Sequence, residues 1–150
     1  MTKEEKVRAA TETATPPEIL AELARDKHNE VRWRVALNPS TPPEVLTELS
    51  RDEDWSIRWC VAGNPSTPPE ALAELTRDKG NEVRRYVAAN PSTPPETLAQ
   101  LSRDEDWTIR WRVAENTATP IELLLILMVD DEEYVREEVE RSLNRRRMTP

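Results

Sequence analysis

The sequence predicts an all-α solenoid of five 26-residue repeats, each a pair of short helices, with caps at both ends. Three observations carry this. The tripeptide Thr-Pro-Pro begins at Thr15, Thr41, Thr67 and Thr93, and Thr119-Pro120 continues the series at the same interval of 26 residues. A fixed period in this range is the signature of a solenoid. Each start is followed three residues later by Glu18, Glu44, Glu70, Glu96 or Glu122. Each unit also holds two apolar stripes at helical spacing, both too short to be stable alone in water.

The elements follow in order. Residues 1–14 match the second half of a unit, with Ala9 and Ala10 in the places of Val35 and Ala36, and form an N-terminal half-repeat cap. The units are 15–40, 41–66, 67–92, 93–118 and 119–144, and residues 145–150 form a C-terminal tail. In each unit Thr is expected to cap the first helix, with Pro at the first helical position and Glu completing a capping box. That helix buries a stripe such as Val45, Leu46 and Leu49. After a polar Arg-Asp turn, a second helix of roughly two turns points Val31, Val35 and Ala36, or their copies, inward. Asn38-Pro39, Asn64-Pro65 and Asn90-Pro91 end the units. There Asn is expected to take the left-handed C-cap conformation, with Pro stopping the helix.

Composition bounds the chemistry. The 150 residues are 33% charged and 5% aromatic, with a net charge of −8. That balance opposes non-specific binding to nucleic acid or acidic membranes. Cys60 is the single cysteine and His28 the single histidine, so no disulfide, cysteine-based zinc site or histidine cluster is expected. The start MTKEEKVRAAT has no apolar run, so neither a signal peptide nor a membrane span is expected there, and a cytoplasmic location is.

The pattern N-P-S-T-P-P-E-x-L-x-x-L-x-x-D-x-x-x-x-V-R, spread over nearly the whole chain, resembles the leucine-rich repeat variant family. The Asp-to-Arg spacing is also similar to HEAT repeats. The resemblance implies a right-handed superhelix of paired short helices and a non-enzymatic binding role, and says little about the partner. One member of that family carries an iron–sulfur cluster on a cysteine-rich extension. No such cofactor is expected for the residues present here.

A second period overlies the first. Units two and four share SRDEDW(S/T)IRW at 50–59 and 102–111, and units one and three share RDK-x-NEVR at 25–32 and 77–84. The full repeat is therefore an alternating pair of 52 residues, which recent duplication and consensus design would both produce.

Two residue sets stand out. Asp26/Arg32 recurs as Asp52/Arg58, Asp78/Arg84, Asp104/Arg110 and Asp130/Arg136. On a helical wheel Arg32 lies about 100° from Val31 and about 60° from Val35, on the buried side. A structural role bridging turn aspartates or carbonyls within and between units is expected, in preference to an anion-binding rail. The binding candidates are the neighbouring stripe: Trp33, Trp59, Arg85 and Trp111, flanked by Arg34, Cys60, Tyr86 and Arg112, with Trp55 and Trp107 before the second helices. These aromatics are expected outside the aliphatic core, and aromatics interleaved with Arg are enriched at binding hot spots. The competing role is a cation–π ladder between adjacent units.

The last unit departs from the pattern, with Ile126 in place of Glu22, Glu48, Glu74 or Gln100 and Val129 in place of Arg25, Arg51, Arg77 or Arg103. A modified end cap is expected there, with self-association through the C-terminal unit as the alternative. Catalysis finds little support. The chain holds only Gly63 and Gly80, so no phosphate-binding glycine loop exists, and no nucleophile–base set is suggested. DNA glycosylases of HEAT-like build use Trp and Asp on a basic face, whereas this chain is acidic. The expected function is a scaffold binding a protein or peptide along the Trp/Arg stripe. Nucleic-acid binding, or a consensus-built repeat without a natural ligand, are the alternatives.

Overall fold

The structure is a computed structural model and describes residues 1–147. These residues form eleven helices and no strand: α1 (Lys3–Thr11), α2 (Pro17–Leu23), α3 (Asn29–Leu37), α4 (Pro43–Leu49), α5 (Trp55–Gly63), α6 (Pro69–Leu75), α7 (Asn81–Ala89), α8 (Pro95–Leu101), α9 (Trp107–Glu115), α10 (Ile121–Leu127) and α11 (Glu133–Arg147). Each unit is one even-numbered and one odd-numbered helix, and α1 is the N-terminal half unit. Of the tail read at 145–150, residues 145–147 continue α11, and 148–150 lie outside the described residues.

The two helices of a unit meet through the expected stripes. Leu20, Leu46, Leu72, Leu98 and Leu124 from the first helices are fully buried against Val31, Ile57, Val83, Ile109 and Val135 from the second. One continuous core runs the length of the array. The second helices pack closely side by side, α1 on α3, α3 on α5 and so on to α11, whereas first helices barely touch their neighbours. The second helices therefore line the inner, concave side of the curve.

Two expectations about the corners are corrected. Thr15, Thr41, Thr67, Thr93 and Thr119 do not cap the first helices, whose cap residue is the following Pro with no side-chain cap bond. The prolines at the cap and first helical positions carry no N–H, so fewer donors need capping there. Each Thr hydroxyl instead donates 2.6 Å to the carbonyl six residues earlier, on Ala9, Val35, Val61, Val87 and Val113. A capping box does form at Thr2 and Glu5, on α1.

The asparagines are not left-handed: Asn38, at φ −70 and ψ 121, is extended, and no non-glycine residue among those described has positive φ. Asn is required for its amide. Asn38 Nδ2 donates to Ala10 O and Glu12 O of the preceding unit, at 2.9 and 3.0 Å. Asn64 reaches Ala36 O and Asn38 O, Asn90 reaches Ala62 O and Asn64 O, and Asn116 reaches Ala88 O and Asn90 O. Their Oδ1 atoms accept from the backbone N–H two residues on, at Ser40, Ser66, Ser92 and Ala118. Helix-end carbonyls with no helical donor left are thus satisfied by the next unit.

A second inter-unit chain runs through the charged turns. Arg32 donates from Nη1 to Asp26 O of its own turn (2.8 Å) and from Nε and Nη2 to the Asp52 carboxylate of the next (2.7 and 3.1 Å). Arg58–Asp78, Arg84–Asp104 and Arg110–Asp130 repeat this. Lys6 of the half unit contacts Asp26 at 2.5 Å. The same aspartates close their own turns by accepting from the N–H two residues on, at His28, Asp54, Gly80, Asp106 and Glu132. Lys6 and the His28 amide hold Asp26 well below the usual carboxylate range. For Asp78 and Asp130 burial works in the opposite direction, but the hydrogen bonds and charges of Arg58 and Arg110 outweigh it, so both are lowered.

The alternation of units has a physical counterpart. Asn29 Nδ2 donates to Asp54 and Asn81 Nδ2 to Asp106, while those aspartates cap α5 and α9 by accepting from Ser56 N and Thr108 N. This contact joins unit one to two and three to four, and Trp55 replaces its donor between two and three.

Asn64→Ala leaves buried carbonyls without donors and is expected to cost about 2–3 kcal/mol in chemical denaturation, whereas the exposed Glu53→Ala changes stability by less than about 0.5 kcal/mol. Stability from the lowered aspartates is complete above the about 3.9 of free Asp and is lost as pH falls through their native values. The urea midpoint is therefore expected to fall steeply below about pH 4. Asp78→Asn should lower that midpoint at neutral pH and flatten the acid limb.

Candidate functional site

The concave side carries the side chains that α3, α5, α7, α9 and α11 turn away from the core. Trp33, Trp59 and Trp111 are not wholly outside that core: each is half-buried and packs against its edge. Close spacing of the second helices lets a neighbouring helix cover one part of each indole. Trp55, Tyr86, Trp107 and Tyr134 are exposed.

Two clusters form, one unit pair apart. In the first, Trp59 and Tyr86 meet edge to face at 4.9 Å, with Trp55 and Arg85 beside them. Tyr86 can lie over α5 because residue 63 is glycine; a Cβ there would come within 2.9 Å of the ring. In the second, Trp107 stacks on Tyr134 at 5.5 Å with planes 28° apart. Together with Trp111, Arg85, Arg112 and Arg141 they line an open depression of about 440 Å³. Trp33 and Arg34 stand nearer the N-terminal end. Arg34 lies over its own neighbour Trp33 at 4.8 Å, and Arg112 over Trp111 at 4.9 Å. These cation–π contacts join sequence neighbours on one helix, not adjacent units.

Arg34 lies over Trp33 without an ion pair among the described residues, and most other arginines of this side fall into two groups. Arg32, Arg58, Arg84 and Arg110 are held between turn carbonyls and the aspartates of the next unit, and their guanidinium side chains are largely covered. Arg85 pairs with Glu82, Arg112 with Glu115 at 2.6 Å, and Arg141 with Glu137 and Glu138. Cys60 is buried beside Trp59, Gly63 and Tyr86, and burial, with the charge of Asp54 adding to it, pushes its thiol up to about 12. It is therefore an unreactive filler at neutral pH. Among the described residues no group of three or more His, Cys, Asp or Glu is arranged to hold a metal ion, and no helix is long and apolar enough to cross a membrane.

Residue-by-residue reading of the sequence misses Tyr134 and Arg141 in the second cluster. The available signal is the departure of Tyr134 from Glu30, Ser56, Glu82 and Thr108 at the equivalent position.

Comparison with known proteins agrees with this architecture. The leucine-rich repeat variant pattern matches residues 82–106, and the leucine-rich repeat variant domain matches residues 4–58. A solved structure described as a leucine-rich repeat variant with a novel repetitive protein structural motif is 31% identical. It aligns over 93% of this chain with a TM-score of 0.72, and the chain spans about half of its length (55%). Two engineered proteins of known structure, each 21% identical, share the fold with TM-scores of 0.56 and 0.57. They align over 95% and 100% of this chain and over 88% and 56% of their own. No curated protein matches the sequence. With its 26-residue helix pairs, its sequence pattern and its similarity to a solved member all in agreement, the chain belongs to the leucine-rich repeat variant family.

Proposed function

We propose that the chain is a non-enzymatic scaffold that binds a peptide or an extended protein segment along its concave face. The observation that carries this is the pair of aromatic clusters there, Trp55–Trp59–Tyr86 and Trp107–Trp111–Tyr134, each beside Arg85. Exposed indole and phenol rings next to Arg offer large contact area at little conformational cost, as at binding hot spots. The depression at the second cluster, about 440 Å³, falls in the size range of ligand sites. An extended segment at about 3.3 Å per residue could span both clusters, since two units displace the chain by roughly 20 Å.

Charge favours a peptide over a nucleic acid. Arg32, Arg58, Arg84 and Arg110 are engaged by aspartates, and Arg85 and Arg112 by glutamates, so few cations are free to meet phosphates. The competing view, a consensus-built chain with no natural ligand, draws on the near identity of 50–59 and 102–111.

Peptides selected from a random display library on the full chain are expected to change its tryptophan fluorescence on titration. Trp55→Ala and Trp107→Ala, both at exposed positions, should weaken them about tenfold or more each without changing the melting temperature. Failure to select any peptide, or selected peptides indifferent to both substitutions, would overturn the proposal. Salt-sensitive quenching by single-stranded oligonucleotides would transfer the face to nucleic acid.

A further inference from the structure

Within one chain, four units serve as controls for the fifth. On the outward face of α10 stand Ile121, Leu125, Ile126, Met128 and Val129. The equivalent positions of the other units hold Pro17, Ala21, Glu22, Ala24 and Arg25; Pro43, Thr47, Glu48, Ser50 and Arg51; or similar small and polar residues. The opposite face of α10 is already occupied, since Leu123, Leu124 and Leu127 are buried in the core. A helix that is apolar all round has the composition of a buried helix. Here the outer five side chains remain exposed at 52, 53, 64, 44 and 84%.

The change also removes a polar acceptor. On the convex side Arg25 pairs with Glu48 and Arg51 with Glu74, joining α2 to α4 and α4 to α6, and Gln100 takes the acceptor position opposite Arg77. At the last junction Arg103 faces Ile126, and among the described residues Arg103 makes no ion pair. Replacing the acceptor by Ile gives up that contact and adds apolar surface that none of the described residues covers.

We propose that this face is a homodimer interface, in which α10 of two copies cross antiparallel about a two-fold axis. A second copy fits on three counts. Stacking a copy head to tail would set its Glu22 against Val129, charge against an aliphatic group. The N-terminal half unit is no better matched, since α1 presents Lys3, Glu4, Glu5 and Arg8. The aliphatic surface that matches the patch is the patch itself, since the exposed aromatics of the concave face are interleaved with Arg85, Arg112 and Arg141, and a two-fold contact puts like against like. The rim is self-complementary too: antiparallel crossing carries Glu122, at the start of one α10, toward the unpaired Arg103 beside the other's far end. The apolar centre, of order 500 Å², together with this charged rim approaches the about 800 Å² per partner of a standard interface.

Sedimentation velocity of the full chain from roughly 1 to 200 µM tests this. The mass is expected to rise toward twice that of one chain. The double variant Ile126→Glu/Val129→Arg restores the residues of units one and two, gives Arg103 an acceptor, and so should keep or raise the melting temperature. It should remain a single chain, with a dissociation constant raised about tenfold or more. Leu125→Glu, which does not touch the Arg103 contact, gives an independent variant with the same expected effect. A wild-type chain that stays single throughout, an assembly larger than two, or variants that associate as tightly as the wild type would each overturn the proposal.

Discussion

The array depends on one relay: an arginine that grips its own turn with one end and the next unit's turn with the other. Arg58 holds Asp52 O and the Asp78 carboxylate together, and Asp78 in turn closes its loop through Gly80 N. The forked guanidinium suits this because its parallel donors meet a carboxylate bidentately while a third reaches the carbonyl. A helix pair of seven and nine residues cannot stand alone. Each unit therefore takes its turn conformation and its position from its neighbour at once. The asparagine chain at the opposite corner does the same with neutral groups, so units one to four are clamped at both ends of their second helices.

Much of this architecture is legible in the amino-acid sequence. The period, the helix pairs, and the inward positions Val31, Val35 and Ala36 follow from spacing, because a repeated apolar stripe has one burial solution. The roles of Thr41 and Asn38 are not legible there. Both types are common at helix ends, and local rules assign them local duties. In the fold their partners lie elsewhere: Val35 O across the corner for Thr41, and Ala10 O in the previous unit for Asn38. Only the stacked geometry reveals such contacts. The same limit applies on the concave side, where residue type picks out Trp55 and Trp107, but the pairing of Trp107 with Tyr134 depends on how closely α9 and α11 pack.

The alternation of units also gains meaning from the stack. Asn29 and Asp54 form a contact that needs one residue from each kind of unit, and Trp55 takes the donor position at the following junction. Two sorts of interface thus alternate along the array, and the aromatic clusters inherit that spacing. A surface feature that recurs every second unit is a consequence of interface chemistry as well as of ancestry or design.

Strong links, the Arg–Asp relay, the asparagine amides and the close packing of α3, α5, α7 and α9, lie along the second helices. The first helices are joined across units mainly by exposed pairs such as Arg25–Glu48 and Arg51–Glu74, which contribute little in water. A stack bound firmly along one edge and loosely along the other bends like a book about its spine. Its softest motion is a fanning of the outer helices that changes curvature while the spine keeps its length, and added salt, by screening the outer pairs, softens it further.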